Sequence, residues 1–169
     1  MRILGIDPGI AQTGWGVVEF EGQRYRPVSF GVVKTLASES LEMRIHAIAK
    51  DVAALADGHG VQAVAIEDIF FAKNVGSAIG VAKVIGAIVH QILSMDIPVR
   101  LFTPLQIKMA VTGYGVAEKH QVQEMVKLLL KLDKVPSPDH AADSLAAAIC
   151  FAANSQTEGR LKFGSGGGK

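Results

Sequence analysis

One cysteine, Cys150, stands in a chain of 169 residues. That excludes an internal disulfide, and its place among alanines and isoleucine marks a buried structural thiol in a reducing compartment. Aromatic residues are scarce at 6%, and 17 Lys and Arg against 16 Asp and Glu leave a formal net charge of only +1. Nothing global therefore announces a nucleic-acid or membrane-surface partner. Long uninterrupted apolar runs are missing too. "MRILGID" meets an acid too early for a secretory h-region, and the most apolar long segment, "VGSAIGVAKVIGAIVHQIL", contains Lys83 and His90. Both features argue against a leader or a membrane span and for a buried helix, so a soluble, cytoplasmic protein is expected.

What is present is enough apolar sequence for a core: 49% hydrophobic and 20% charged residues describe one globular domain. The pattern breaks at Asn154, and "KFGSGGGK" has the composition of a tail that cannot bury itself. The expected division is a domain over 1–153 and a flexible tail over 154–169. Charge is less even locally, with six basic against three acidic residues from Arg100 to Lys134. Taken alone, that bias reads as a solvated face.

"RILGIDPG", "TGWGVVEF" and "YRPVSFGVVKT" read as three strands joined by turns, an antiparallel meander. After Ser40 the period changes, and Leu41, Ile45, Ile48, Val52 and Leu55 form the stripe of an amphipathic helix that "DGHG" ends. "VQAVAIE" is a strand buried on both faces. A long helix from about Asn74 to Met95, a fifth strand in "IPVRLFT", and helices from about Pro104, Ala117 and Pro138 follow. This order predicts an α/β domain with a mixed five-stranded sheet, three strands antiparallel and two parallel, flanked by helices.

Acids punctuate that scheme. Asp7 ends the first strand and Glu67 the fourth, so they meet if those strands are neighbours. Asp7 has a plain alternative role in an Asp-Pro-Gly turn. Glu67 is harder to dismiss, because a carboxylate closing so apolar a run is costly to bury without a cation or hydrogen-bonding partner. In "SPDHAADSLAAAI", His140 and Asp143 are three residues apart and Asp139 and Asp143 four, so either pair can share a helix face. Asp139 also suits a first helical turn behind Ser137 and Pro138. By helix phase alone, Asp139 lies nearer the apolar face than His140 does. Clustered Asp7, Glu67 and Asp143 carry about −3, which two divalent ions neutralise, and a pair of such ions hydrolyses phosphodiesters. The residues therefore predict a nuclease site.

"GIDPGIAQTGWGV", "AIEDIFFAKN", "GYGVAEKHQVQEMVK" and "PDHAADSLAAAI", in this order, resemble the RuvC crossover junction endodeoxyribonucleases, a family that resolves Holliday junctions. The resemblance covers 1–153 and implies a ribonuclease H-like fold, two Mg²⁺ or Mn²⁺ ions per site, and a homodimer acting on four-way DNA. It implies that Asp7, Glu67, His140 and Asp143 are the metal-binding catalytic residues, with His140 where many members have Asp. It places DNA contacts at Phe70, Lys73, Asn74, Lys108 and Lys119. A branch-migration helicase complex of the RuvA and RuvB type is the implied partner. Two other readings remain. "GIDPGIAQTGWG" also resembles the first phosphate loop of actin-like kinases and ATPases, whose second loop and second domain this sequence lacks. An architectural junction binder without catalysis is the other, and unneutralised carboxylates beside phosphates count against it.

Overall fold

Strand β1 (Arg2–Asp7) lies in the middle of the sheet, and its alternation assigns the two faces. The computed structural model describes residues 1–69 and 75–164, without the side chains of Val75 and 156–164. Beyond β1 the chain forms β2 (Gln12–Glu21), β3 (Arg24–Lys34), α1 (Leu41–Gly58), β4 (Ala63–Glu67), α2 (Val75–Leu93) and β5 (Val99–Phe102). Helices α3 (Pro104–Thr112), α4 (Lys119–Leu130) and α5 (Asp139–Gly164) complete it. The sheet order is β3-β2-β1-β4-β5. β1 to β3 pair antiparallel, while β4 and β5 extend the other edge in parallel. This is the mixed sheet expected of a ribonuclease H-like domain.

Leu4, Ile6, Val17, Val64 and Ile66 point to one side, into a core closed by Ile48 and Val52 of α1 and Val84, Ile88 and Ile92 of α2. Ile3, Val18 and Ala65 point to the other, where α5 crosses β1, β2 and β4. Successive strand side chains alternate, so Asp7 shares the α5 side with Ile3 and Gly5, and Glu67 shares it with Ala63 and Ala65. Helix α2 is long and apolar enough to cross a membrane by length and composition. Its buried residues instead face α1 and the sheet.

Glycine sets how close α5 can come. A Cβ on Gly5 would lie 1.8 Å from the Ser144 carbonyl oxygen, and one on Gly14 would lie 2.0 Å from that of His140. The backbone of α5 therefore rests directly on β1 and β2. With the sheet beneath it and α3 and α4 outside, α5 is buried without a break from Ser144 to Ala152.

The element boundaries differ from expectation at the ends. Helix α4 begins at Lys119 rather than near Ala117, and α5 begins at Asp139, just past Pro138. The helix runs past Asn154 to Gly164, although the apolar pattern stops where the domain was expected to end. Asn154 donates from Nδ2 to the Cys150 carbonyl (2.8 Å) and Ser155 from Oγ to that of Phe151 (2.9 Å). The following "QTEGRLK" is rich in residues that favour helix without needing burial.

Gly14→Ala should cost at least about 2 kcal/mol, because the added carbon meets backbone rather than a side chain that can swing away. Gly58→Ala, where a Cβ meets nothing within 4 Å, should stay within about 1 kcal/mol of wild type. Chemical denaturation of the two variants checks this. Equal stability of both would show that α5 does not rest on Gly14.

Candidate metal centre

Ile6 pairs with Ile66 in the β1–β4 register, so the residues that follow, Asp7 and Glu67, end neighbouring parallel strands at one edge of the sheet. The first turn of α5 arrives at the same edge. The His140 ring nitrogen Nδ1 lies 2.6 Å from Asp7 Oδ2, and as the carboxylate accepts, Nδ1–H donates. Asp143 stands one turn along. One ligand atom from each of Asp7, His140 and Asp143 lies within 4.8 Å of the others.

Asp7 is thus not spent on its own turn. Thr13 closes the Pro8–Gln12 loop instead, its Oγ1 donating to the Gly9 carbonyl at 2.7 Å. Asp68, beside Glu67, accepts from the Ile69 backbone N–H at 2.8 Å and lines a cleft with Asp7 and Glu67. Asp139 faces outward at 68% side-chain exposure and pairs with Lys119 at 3.2 Å. His140, not Asp139, therefore sits with Asp7, against the reading from helix phase.

Glu67 lies outside the tight trio but lines a cleft of about 190 Å³ with Lys108, Lys119 and Asp143. It also lines an adjoining cleft of about 260 Å³ with Asp7. A larger cavity, about 800 Å³, lies between the β2–β3 hairpin and the end of α4 and holds none of these groups.

The electrostatics are those of a site short of positive charge. Burial, then the charges of Asp7 and Asp143, push the Glu67 carboxyl up to about 7. Burial likewise raises Asp143, against the relief that Lys119 provides at 3.1 Å. Burial works against the Lys119 charge, but bonds to Asp143 and Asp139 hold its pKa above the ordinary lysine value. Lys119, with Lys108 at the same cleft, thus offsets part of the charge of three convergent carboxylates. Hard oxygen donors with one imidazole and an excess of negative charge suit a divalent cation such as Mg²⁺ or Mn²⁺.

Lys108 and Lys119, expected as DNA contacts, both reach this site, whereas Phe70, Lys73 and Asn74 lie outside the described residues. Gly5 and Gly14 were missed by the sequence reading. They touch no ligand, yet they let α5 descend far enough to bring His140 to Asp7. Glycines at alternate positions of predicted strands were the available signal.

Acids converging at the edge of a ribonuclease H-like sheet define a metal-dependent nuclease. The chain belongs to the RuvC family, whose model, described as crossover junction endodeoxyribonuclease RuvC, matches residues 3–151. The crossover junction endodeoxyribonuclease of Caldanaerobacter subterraneus subsp. tengcongensis is 42% identical over 97% of this chain and 99% of its own length. The Thermus thermophilus RuvC structure superposes with a TM-score of 0.87 at 35% identity, covering 94% of this chain and 97% of that one. The same Thermus protein in complex with a Holliday junction substrate gives 0.84 at 33% identity, over 93% and 96%.

The Glu67 carboxyl has a testable consequence for the metal-free protein. Its folded pKa, about 7, lies above the ordinary 4.5, so between those values the folded state holds more protons than the unfolded state. Stability from this group is complete at low pH and is lost as pH rises through 7, to the extent of about 3 kcal/mol. In chelator, the melting temperature should fall by roughly 5 to 10 °C across that window. Glu67→Gln should remove most of the slope. An undiminished slope in the variant would place the charge strain elsewhere.

Proposed function

We propose that this chain is a structure-selective endonuclease that resolves four-way DNA junctions by paired symmetric nicks, through divalent-metal hydrolysis of phosphodiesters, in recombination and repair. The observation that carries this reading is the gathering of Asp7, His140 and Asp143 beside Glu67 in a member of this family. Those four residues would hold Mg²⁺ or Mn²⁺, and two such ions would more than offset the charge of three carboxylates, leaving a surplus for an anionic phosphodiester. When bound, such ions would supply Lewis acidity toward a phosphodiester and toward an attacking water. Lys108 and Lys119 at the cleft supply charge for DNA phosphates. Phe70, Lys73 and Asn74, in the stretch outside the described residues, would add further DNA contacts.

Paired nicks need paired sites, which a symmetric homodimer supplies. Helix α2 supports this, because Gly76, Ala82 and Gly86 are exposed together with Ile79 and Leu93. Gly80 does not belong to that surface; it is buried, and a Cβ there would lie 2.4 Å from Ile10 Cδ1. Family kinship supports a cytoplasmic location and a branch-migration helicase complex of the RuvA and RuvB type as partner. The expected division, a nuclease domain over 1–153 followed by a tail over 154–169, belongs to the same proposal.

A synthetic four-way junction tests the chemistry. Cleavage should require Mg²⁺ or Mn²⁺ and stop in chelator, and Glu67→Gln should lower nicking at least about a hundredfold while retaining junction binding. His140→Ala should lose cleavage and Asp139→Asn should keep it; the reverse result would reassign the α5 ligand. Sedimentation should find a dimer at micromolar concentration, and a monomer with and without junction would refute the paired-site assembly.

A further inference from the structure

The face of the sheet opposite the metal site carries a cleft of its own. Trp15 pairs with Ile6 across β1 and β2, so its side chain lies with that of Ile6 on the α1 side, whereas Asp7 lies on the α5 side. There it lines an open cleft of about 400 Å³ with Val33, Leu55, Asp51 and His59. The indole is held from two directions. It rests on Gly31 of β3, where a Cβ would lie 3.1 Å from Trp15 Cζ2 and 3.3 Å from Nε1. The His59 ring stands against it, with centroids 5.8 Å apart and planes tilted by 47°. His59 is itself fixed at the end of α1, its Nδ1–H donating to the Leu55 carbonyl at 2.9 Å and its backbone N–H to the same oxygen at 3.2 Å. With the proton on Nδ1, Nε2 of the neutral ring is an acceptor.

The chemistry of the lining selects a cation. Asp51 is exposed and makes no ion pair or hydrogen bond among the described residues, and no Lys or Arg lines the cleft. The cleft therefore offers a carboxylate, an imidazole acceptor and the aromatic side chain that attracts cations most strongly, between apolar walls at Val33 and Leu55. An anion would meet the Asp51 charge unopposed. The indole N–H, also without a hydrogen bond among the described residues, adds one donor. A guanidinium or ammonium group carried on a peptide suits the whole set, since its methylenes match the apolar walls and its backbone brings a carbonyl for that donor. A free polyamine brings no acceptor.

We propose that Trp15, His59 and Asp51 form a binding site for an arginine or lysine side chain presented by a partner protein. The sheet separates this site from Asp7, His140 and Asp143, so filling it leaves the metal edge open. It stands apart from the junction-resolving function and does not depend on it.

Trp15 is the one tryptophan in the chain, so its fluorescence in the full-length protein reports on this cleft alone. At constant ionic strength, N-acetyl-arginine amide should change that emission saturably, with a midpoint on the order of millimolar, while its neutral isostere N-acetyl-citrulline amide should not. Asp51→Asn should raise the midpoint about tenfold at an unchanged melting temperature, and Asp51→Glu should restore it. Spermidine should bind more weakly than the arginine compound; the opposite order would overturn a protein-borne cation as the occupant. A linear change without saturation is collisional quenching and would overturn the site. So would an equal response to the citrulline compound, or an undisturbed midpoint in a folded Asp51→Asn protein.

Discussion

The site depends on one close contact, the backbone of α5 lying directly on β1 and β2. Gly5 and Gly14 leave no room for a side chain between them and the carbonyls of Ser144 and His140. If α5 were lifted by the width of a methyl group, His140 would lose Asp7 and the trio would open. That contact is also the reason α5 can be alanine-rich: it is enclosed by sheet and helices, and small residues let its neighbours approach on every side. Packing and chemistry are therefore not separable here. The residues that seat the helix aim the ligands.

The second constraint is charge. The fold brings together Asp7, Glu67 and Asp143, with Lys119 bridging Asp143 and Asp139. The raised pKa of Glu67 measures what remains uncompensated. Such an arrangement is a stability cost in the absence of a cation and becomes a binding site in its presence. Lys119 is an internal counter-charge of the site in this balance.

Much of this was legible in the sequence, for identifiable reasons. The meander, the stripe of α1 and the buried β4 follow from local periodicity, which reports the burial that each element needs. Alternation along β1 and β4 puts Asp7 and Glu67 on the same side of the sheet, and the apolar run before Glu67 signals that its carboxylate is partly buried. Four motifs in order carried the family. The extension of α5 past Asn154 was not legible in this way, because its helix propensity persists after its apolar pattern has stopped.

What the sequence by itself determined is therefore which residues could serve: acids at strand ends, an acid and a histidine at a helix start, lysines around them. The tertiary structure decided which of them do converge. Helix phase pointed to Asp139 because phase assumes one buried face, and α5 has burial all round, so its apolar residues define no inward direction. The direction was settled by contacts between residues distant in sequence. Gly14 seats the His140 backbone, and Lys119 draws Asp139 outward. Neither contact leaves a trace in local periodicity, since each depends on where a separate element of the chain has packed.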